Sequence, residues 1–81
     1  MGEKTSIPII ENLLDRQYLM TFPELDYKEI DKVIMTAIET STLIVDSTFE
    51  PSLIELAKND QSLTVRDLAI KALKRSYDRT I

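Results

Sequence analysis

Apolar residues in this chain recur at steps of three and four rather than in alternation, and that spacing restricts it to helices. Ile30, Val33, Ile34, Ala37, Ile38, Ser41 and Val45 hold one stripe over about five helical turns, and shorter stripes lie on either side. A single Gly and three Pro punctuate the chain, and its β-branched residues follow helical spacing, so strands have little to build on. The fold class expected is all-α, a compact four-helix domain made of two helical hairpins.

Local signals predict helices over residues 6–20, 27–45, 49–58 and 64–79. The first begins after Thr5 or Ser6 with Pro8 in its opening turn, and Ile10, Leu13, Leu14, Gln17 and Tyr18 share a face. Phe22-Pro23-Glu24-Leu25 reads as a connector, because a residue preceding proline is pushed out of the helical region. Asp26 and Glu29 have the spacing of a reciprocal cap at the second start, and Ser47 with Glu50 repeats it ahead of Pro51 at the third. Thr40-Ser41-Thr42 are weak helix formers near the end of the second helix. In the third, Leu53, Ile54, Leu56 and Ala57 face inward. Asn59-Asp60-Gln61-Ser62 interrupts the pattern, and Thr64 with Asp67 restarts it. Val65, Leu68, Ala69, Ala72, Leu73 and Tyr77 then turn inward, with Arg66, Lys71, Lys74 and Arg75 outward.

The chain also echoes itself. A shift of 43 places sets Pro8, Ile10, Leu13 and Leu14 on Pro51, Leu53, Leu56 and Ala57, and a shift of 35 sets Ile30, Val33, Ile34, Ala37, Ile38 and Ser41 on Val65, Leu68, Ala69, Ala72, Leu73 and Ser76. The second hairpin goes further. Pro51-Ser52-Leu53-Ile54-Glu55-Leu56-Ala57-Lys58, an Asn/Asp turn, then Val65-Arg66-Asp67-Leu68-Ala69-Ile70-Lys71-Ala72-Leu73 resembles one HEAT repeat. The resemblance implies that Val65 anchors the helix start, Arg66 caps or braces the turn, and Ala69 and Ala72 permit close helix contact. The first hairpin matches only in its proline and apolar spacing. Arrays of such repeats need about three to bury a continuous core, so the chain is expected to be a compact domain, with a fragment of a longer helical-repeat array as the alternative. Leu63-Thr64-Val65-Arg66-Asp67-Leu68 is also similar to the end of a histone fold and to the first half of a helix-turn-helix. Pro51 would interrupt the former's central helix, and the latter lacks both its turn residue and room for a recognition helix.

Composition removes whole classes of chemistry. The 81 residues contain no Cys and no His, hence no disulfide framework, no thiol nucleophile and no imidazole base. Gly2 is the sole glycine and cannot form a phosphate-cradling loop. Ser and Thr have no activating partner at Ser-x-x-Lys spacing, and Asp26, Glu29 and Asp31 read as helix-start acids rather than a cation loop. Glu11 with Asp15, and Glu50 with Glu55, read as surface carboxylates. No cofactor and no catalytic activity are expected.

Charge is distributed unevenly. Residues 1–61 carry 5 Lys/Arg against 12 Asp/Glu, and residues 62–81 carry 5 against 2, within a net charge of −4. Lys71, Lys74 and Arg75 share a helix face, with Arg66 upstream and Tyr77 at the edge. These five, together with Phe22 and Tyr27 in the connector beside Met20 and Leu25, are the candidate partner-binding residues. The expected function is a non-catalytic protein–protein interaction or scaffolding module, its partner a protein with an acidic surface or a second copy covering an apolar face of the second helix. A small nucleic-acid-binding regulator using the basic last helix is the alternative, opposed by the acidic total. No apolar run approaches a membrane span, and a cytoplasmic or nuclear setting is expected. Met1 to Ser6 fits the M-G-x-x-x-[ST] acylation form, with no polybasic segment beside it as a second anchor.

Overall fold

The computed structural model describes residues 2–79, with side chains from residue 7 onward. The acylation pattern at Met1 to Ser6 therefore lies outside the residues whose side chains are described. Five helices form: α1 (Gly2–Leu13), α2 (Arg16–Leu19), α3 (Tyr27–Leu43), α4 (Phe49–Asn59) and α5 (Leu63–Ser76), and the described residues contain no strand. None is long and apolar enough to cross a membrane.

The predicted helix over 6–20 differs most. It starts at Gly2, so Pro8 lies inside α1 rather than in its first turn, and the ladder lacks the bond its amide would donate. Pro8 itself is exposed. The helix then breaks at Asp15. Its backbone is extended and its side chain accepts from the N–H groups of Gln17 (3.0 Å) and Tyr18 (3.4 Å), capping the short α2. Aspartate competes with the helix for backbone donors, and here the competition is won by a new start. The break turns Leu19 into the core and leaves Gln17 and Tyr18, expected on the inner face, exposed.

The α3 start agrees with its sequence. Glu29 N–H donates to Asp26 Oδ1 at 2.8 Å and Asp26 N–H to Glu29 Oε1 at 3.3 Å, a full capping box. The hydroxyls of Thr40, Ser41 and Thr42 donate back to carbonyls of their own turns, at 3.0, 2.6 and 2.6 Å, which satisfies them inside the helix. It ends at Leu43 rather than residue 45, and Val45, predicted on the buried stripe, is 55% exposed.

The next two caps are displaced. Ser47 and Glu50 form no box: Asp46 Oδ1 accepts from Thr48 N–H at 2.8 Å, and Glu50 pairs instead with Arg79. Bonds from the Thr48 hydroxyl and backbone hold the Asp46 carboxyl below its usual range. At α5 the cap is Ser62, whose Oγ accepts from Val65 N–H at 3.3 Å, while Asp67, expected to pair with Thr64, bonds Lys71 at 3.0 Å. That helix ends at Ser76 rather than residue 79. Asp78 adopts φ 53°, a left-handed turn that Asp tolerates better than most residues, and Arg79 N–H reaches back to Leu73 O at 2.9 Å.

Packing follows the order α1, α3, α5, α4. The α4–α5 contact is the most extensive, α3–α5 is next, and α1 covers α3. Ile34, Ile38, Phe49, Leu53, Val65, Ala69 and Leu73 fill the centre, all but sealed from solvent. Ala69 and Ala72 face inward on α5, where small side chains let neighbouring helices approach. The aligned positions of α3 and α5 also agree in burial: Ile30 with Val65, Ile34 with Ala69, Ala37 with Ala72, Ile38 with Leu73. The result is a slab of 33 × 31 × 15 Å.

Candidate functional site

Breaking the first helix at Asp15 aims Arg16 across the molecule. Its Nε donates to Asp60 Oδ1 at 2.7 Å, and Nη2 donates to Asp60 Oδ2 at 2.9 Å and to Asp31 Oδ1 at 2.5 Å. Asp60 Oδ2 also accepts from Ser62 N–H at 2.9 Å. The Arg16 and Asp60 side chains retain 10% and 2% of their exposure, so this fork joins the first hairpin to the α4–α5 turn largely out of water. The bond from Asp60 raises the Arg16 guanidinium above its usual value, burial opposes this, and Asp31 adds to it. With one partner removed, the other would be a charge held in a low-dielectric setting, which makes the fork a strong positional constraint.

Beside the fork, α1 and α2 face α4 across an open groove of about 720 Å³. Leu14 and Leu56 form its apolar floor, Asn12, Gln17, Ser52 and Asn59 supply polar walls, and Met20 stands exposed at the rim. The groove is acidic. Glu11, Asp15, Glu55 and Asp60 line it, and its sole lining cation among the described residues, Arg16, is committed to Asp60 and Asp31. Sequence reading takes Glu11 with Asp15, and Glu50 with Glu55, as surface carboxylates that share no pocket. The convergence of Glu11, Asp15 and Glu55 follows from the Asp15 break and the Arg16–Asp60 fork, which sequence spacing does not reveal.

A second groove, of about 380 Å³, runs along the α3–α5 seam and shares no helix with the first. Lys71 and Arg75 line it together with Glu39, Thr42 and Leu68. Lys74 is exposed on the same helix, so Lys71, Lys74 and Arg75 form the cationic stripe their spacing predicted.

The other predicted contact residues are placed differently. Arg66 does not point away from the protein: it is half-buried, and its Nε is enclosed with no hydrogen-bond partner among the described residues. Tyr77 is also half-buried and acts as a staple. Its hydroxyl donates to Ser41 O at 2.9 Å and accepts from Asp46 N–H at 3.4 Å, tying the end of α5 to the end of α3. Burial raises the Tyr77 hydroxyl above its usual value, against the bond from Asp46. In the connector, Phe22 packs edge-on against Tyr18 with ring centroids 5.3 Å apart, Leu25 packs on the core, and Tyr27 is 65% exposed. Phe22 and Tyr27 line neither groove.

No family model, no curated protein and no solved structure matches this chain.

Proposed function

We propose that this chain is a non-catalytic protein-interaction module, and that the groove between α1–α2 and α4 is its docking surface. One observation carries this reading: a buried ion fork joins two helical hairpins at one end of a concave surface with an apolar floor and a charged rim. A groove with an apolar floor between polar and acidic walls suits an inserted helix or peptide that carries complementary charge. The HEAT-like character of the second hairpin supports the same role, since packed helical hairpins present ridges and grooves to partners.

A photo-crosslinking side chain placed at Ser52, on the groove wall, tests the reading in cells that express the chain. The expected result is discrete protein adducts from Ser52 and none from the same group at Lys58, which is exposed on α4 outside the groove. Equal labelling at both positions would refute the assignment.

The cationic stripe favours a second reading, a nucleic-acid-binding regulator using Lys71, Lys74 and Arg75. Three phosphate contacts would give a log–log salt slope of about −2 to −3. The surrounding charge is unfavourable, because Glu39 and Asp67 flank the stripe and the chain carries net −4. Absence of retention of a short duplex and of a single strand at low salt would end this reading.

A further inference from the structure

The two grooves carry opposite charge, lie on different helices and use none of the same residues. On one side are Glu11, Asp15 and Glu55, with Met20 at the rim. On the other, Lys71 and Arg75 line the α3–α5 seam and Lys74 stands beside them. Lys71 and Arg75 are four residues apart on α5, so their side chains share one face and are separated by about 6 Å. The face bearing Lys71, Lys74 and Arg75 is therefore opposite in sign to the groove walls bearing Glu11, Asp15 and Glu55.

We propose that the occupant of the acidic groove is the cationic α5 ridge of a second copy of this chain. The proposal rests on the groove being a docking surface and adds the partner. Charge complementarity selects the occupant: the acidic surface that the basic stripe requires is present on the same molecule. Because the two patches differ, the contact is head-to-tail, and each added copy presents a free groove at one end and a free ridge at the other. Association then grows with concentration instead of stopping at a symmetric pair. Much of its attraction comes from exposed charges, so it weakens as salt screens them.

Sedimentation velocity from about 10 µM to about 1 mM chain, at about 0.02 M and about 0.5 M salt, reads this directly. Wild type is expected to shift to larger species with concentration at low salt and to return to monomer at high salt. Two charge-reversed variants locate the contact: E11K/E55K makes the groove basic, and K71E/R75E makes the ridge acidic. Asp15 and Asp60 stay untouched because they cap α2 and hold Arg16, and circular dichroism checks that each variant keeps its helices. Each variant alone should remain monomeric, with apparent affinity weakened about tenfold or more. Mixed in equal amounts they should associate again, since the basic groove of one accepts the acidic ridge of the other. A monomeric wild type across this range overturns the proposal, as does association indifferent to salt and to both reversals, or a mixture that stays monomeric. Ser52 crosslinking to a different protein would then leave the docking reading standing without its second copy.

Discussion

The two hairpins are built from similar stripes but held together differently. In the second, a short turn joins α4 to α5, and close packing of Leu53, Leu56, Ala69, Ala72 and Leu73 holds them. In the first, α1 breaks at Asp15, the connector runs through Phe22 and Leu25, and the polar fork from Arg16 to Asp31 and Asp60 sets the position. Apolar packing is non-directional and fills whatever space it has, whereas a bidentate guanidinium fixes distance and angle. The hairpin with the tight turn therefore forms the closed part of the slab. The one with the loose connector faces α4 across the open groove, with the fork at its end.

The largest test of this contrast is Leu73→Ala. Leu73 is sealed at the centre of the second hairpin, and its truncation is expected to destabilise the fold by about 3–5 kcal/mol in urea unfolding. Leu25→Ala, in the connector and only partly buried, should cost less than about 1.5 kcal/mol. Equal losses would mean that the first hairpin is packed as tightly as the second.

The fork comes next. Asp60→Ala leaves Arg16 enclosed with only Asp31 to answer it, and a loss of about 3 kcal/mol is expected. Replacing both partners together, Arg16→Met with Asp60→Leu, should recover at least half of that, because no uncompensated charge remains. A double variant no better than Asp60→Ala would assign the loss to packing. If the fork also holds the groove open, crosslinking from Ser52 should fall in Asp60→Ala while its helical signal persists.

The four long helices were legible because each shows its apolar stripe at helical spacing, and the α3 start because Asp26 and Glu29 satisfy each other within a few residues. The caps that were misplaced share a cause. Asp46 and Ser62 take the roles expected of Ser47 and Thr64, and Asp15 starts a helix where none was expected, each by geometry reached only once the chain has turned. The cationic stripe lies on one helix and could be read from spacing alone. The acidic groove could not, since Glu11 and Glu55 meet only across α1 and α4, and Arg16 and Asp60, 44 residues apart, carry no pairing signal in one sequence.

Tyr77 supplies the smallest and most diagnostic effect, since it staples the second hairpin to the end of α3. Tyr77→Phe removes the bond to Ser41 O and leaves the Asp46 N–H without this acceptor, for a loss of about 1 kcal/mol near neutral pH. The pH dependence then separates the staple from simple packing. The folded-state value of the hydroxyl lies above the ordinary 10.0, chiefly through burial, so folding favours its protonated form. That contribution is fully present below pH 10.0 and is lost as pH rises toward the folded-state value, where ionisation is easier in the unfolded chain. Wild type should therefore lose stability in alkali more steeply than Tyr77→Phe, and the gap between them should narrow. A gap that stays constant through this range would mean that the hydroxyl meets water in the folded chain, and that α3 and α5 are joined by apolar packing alone.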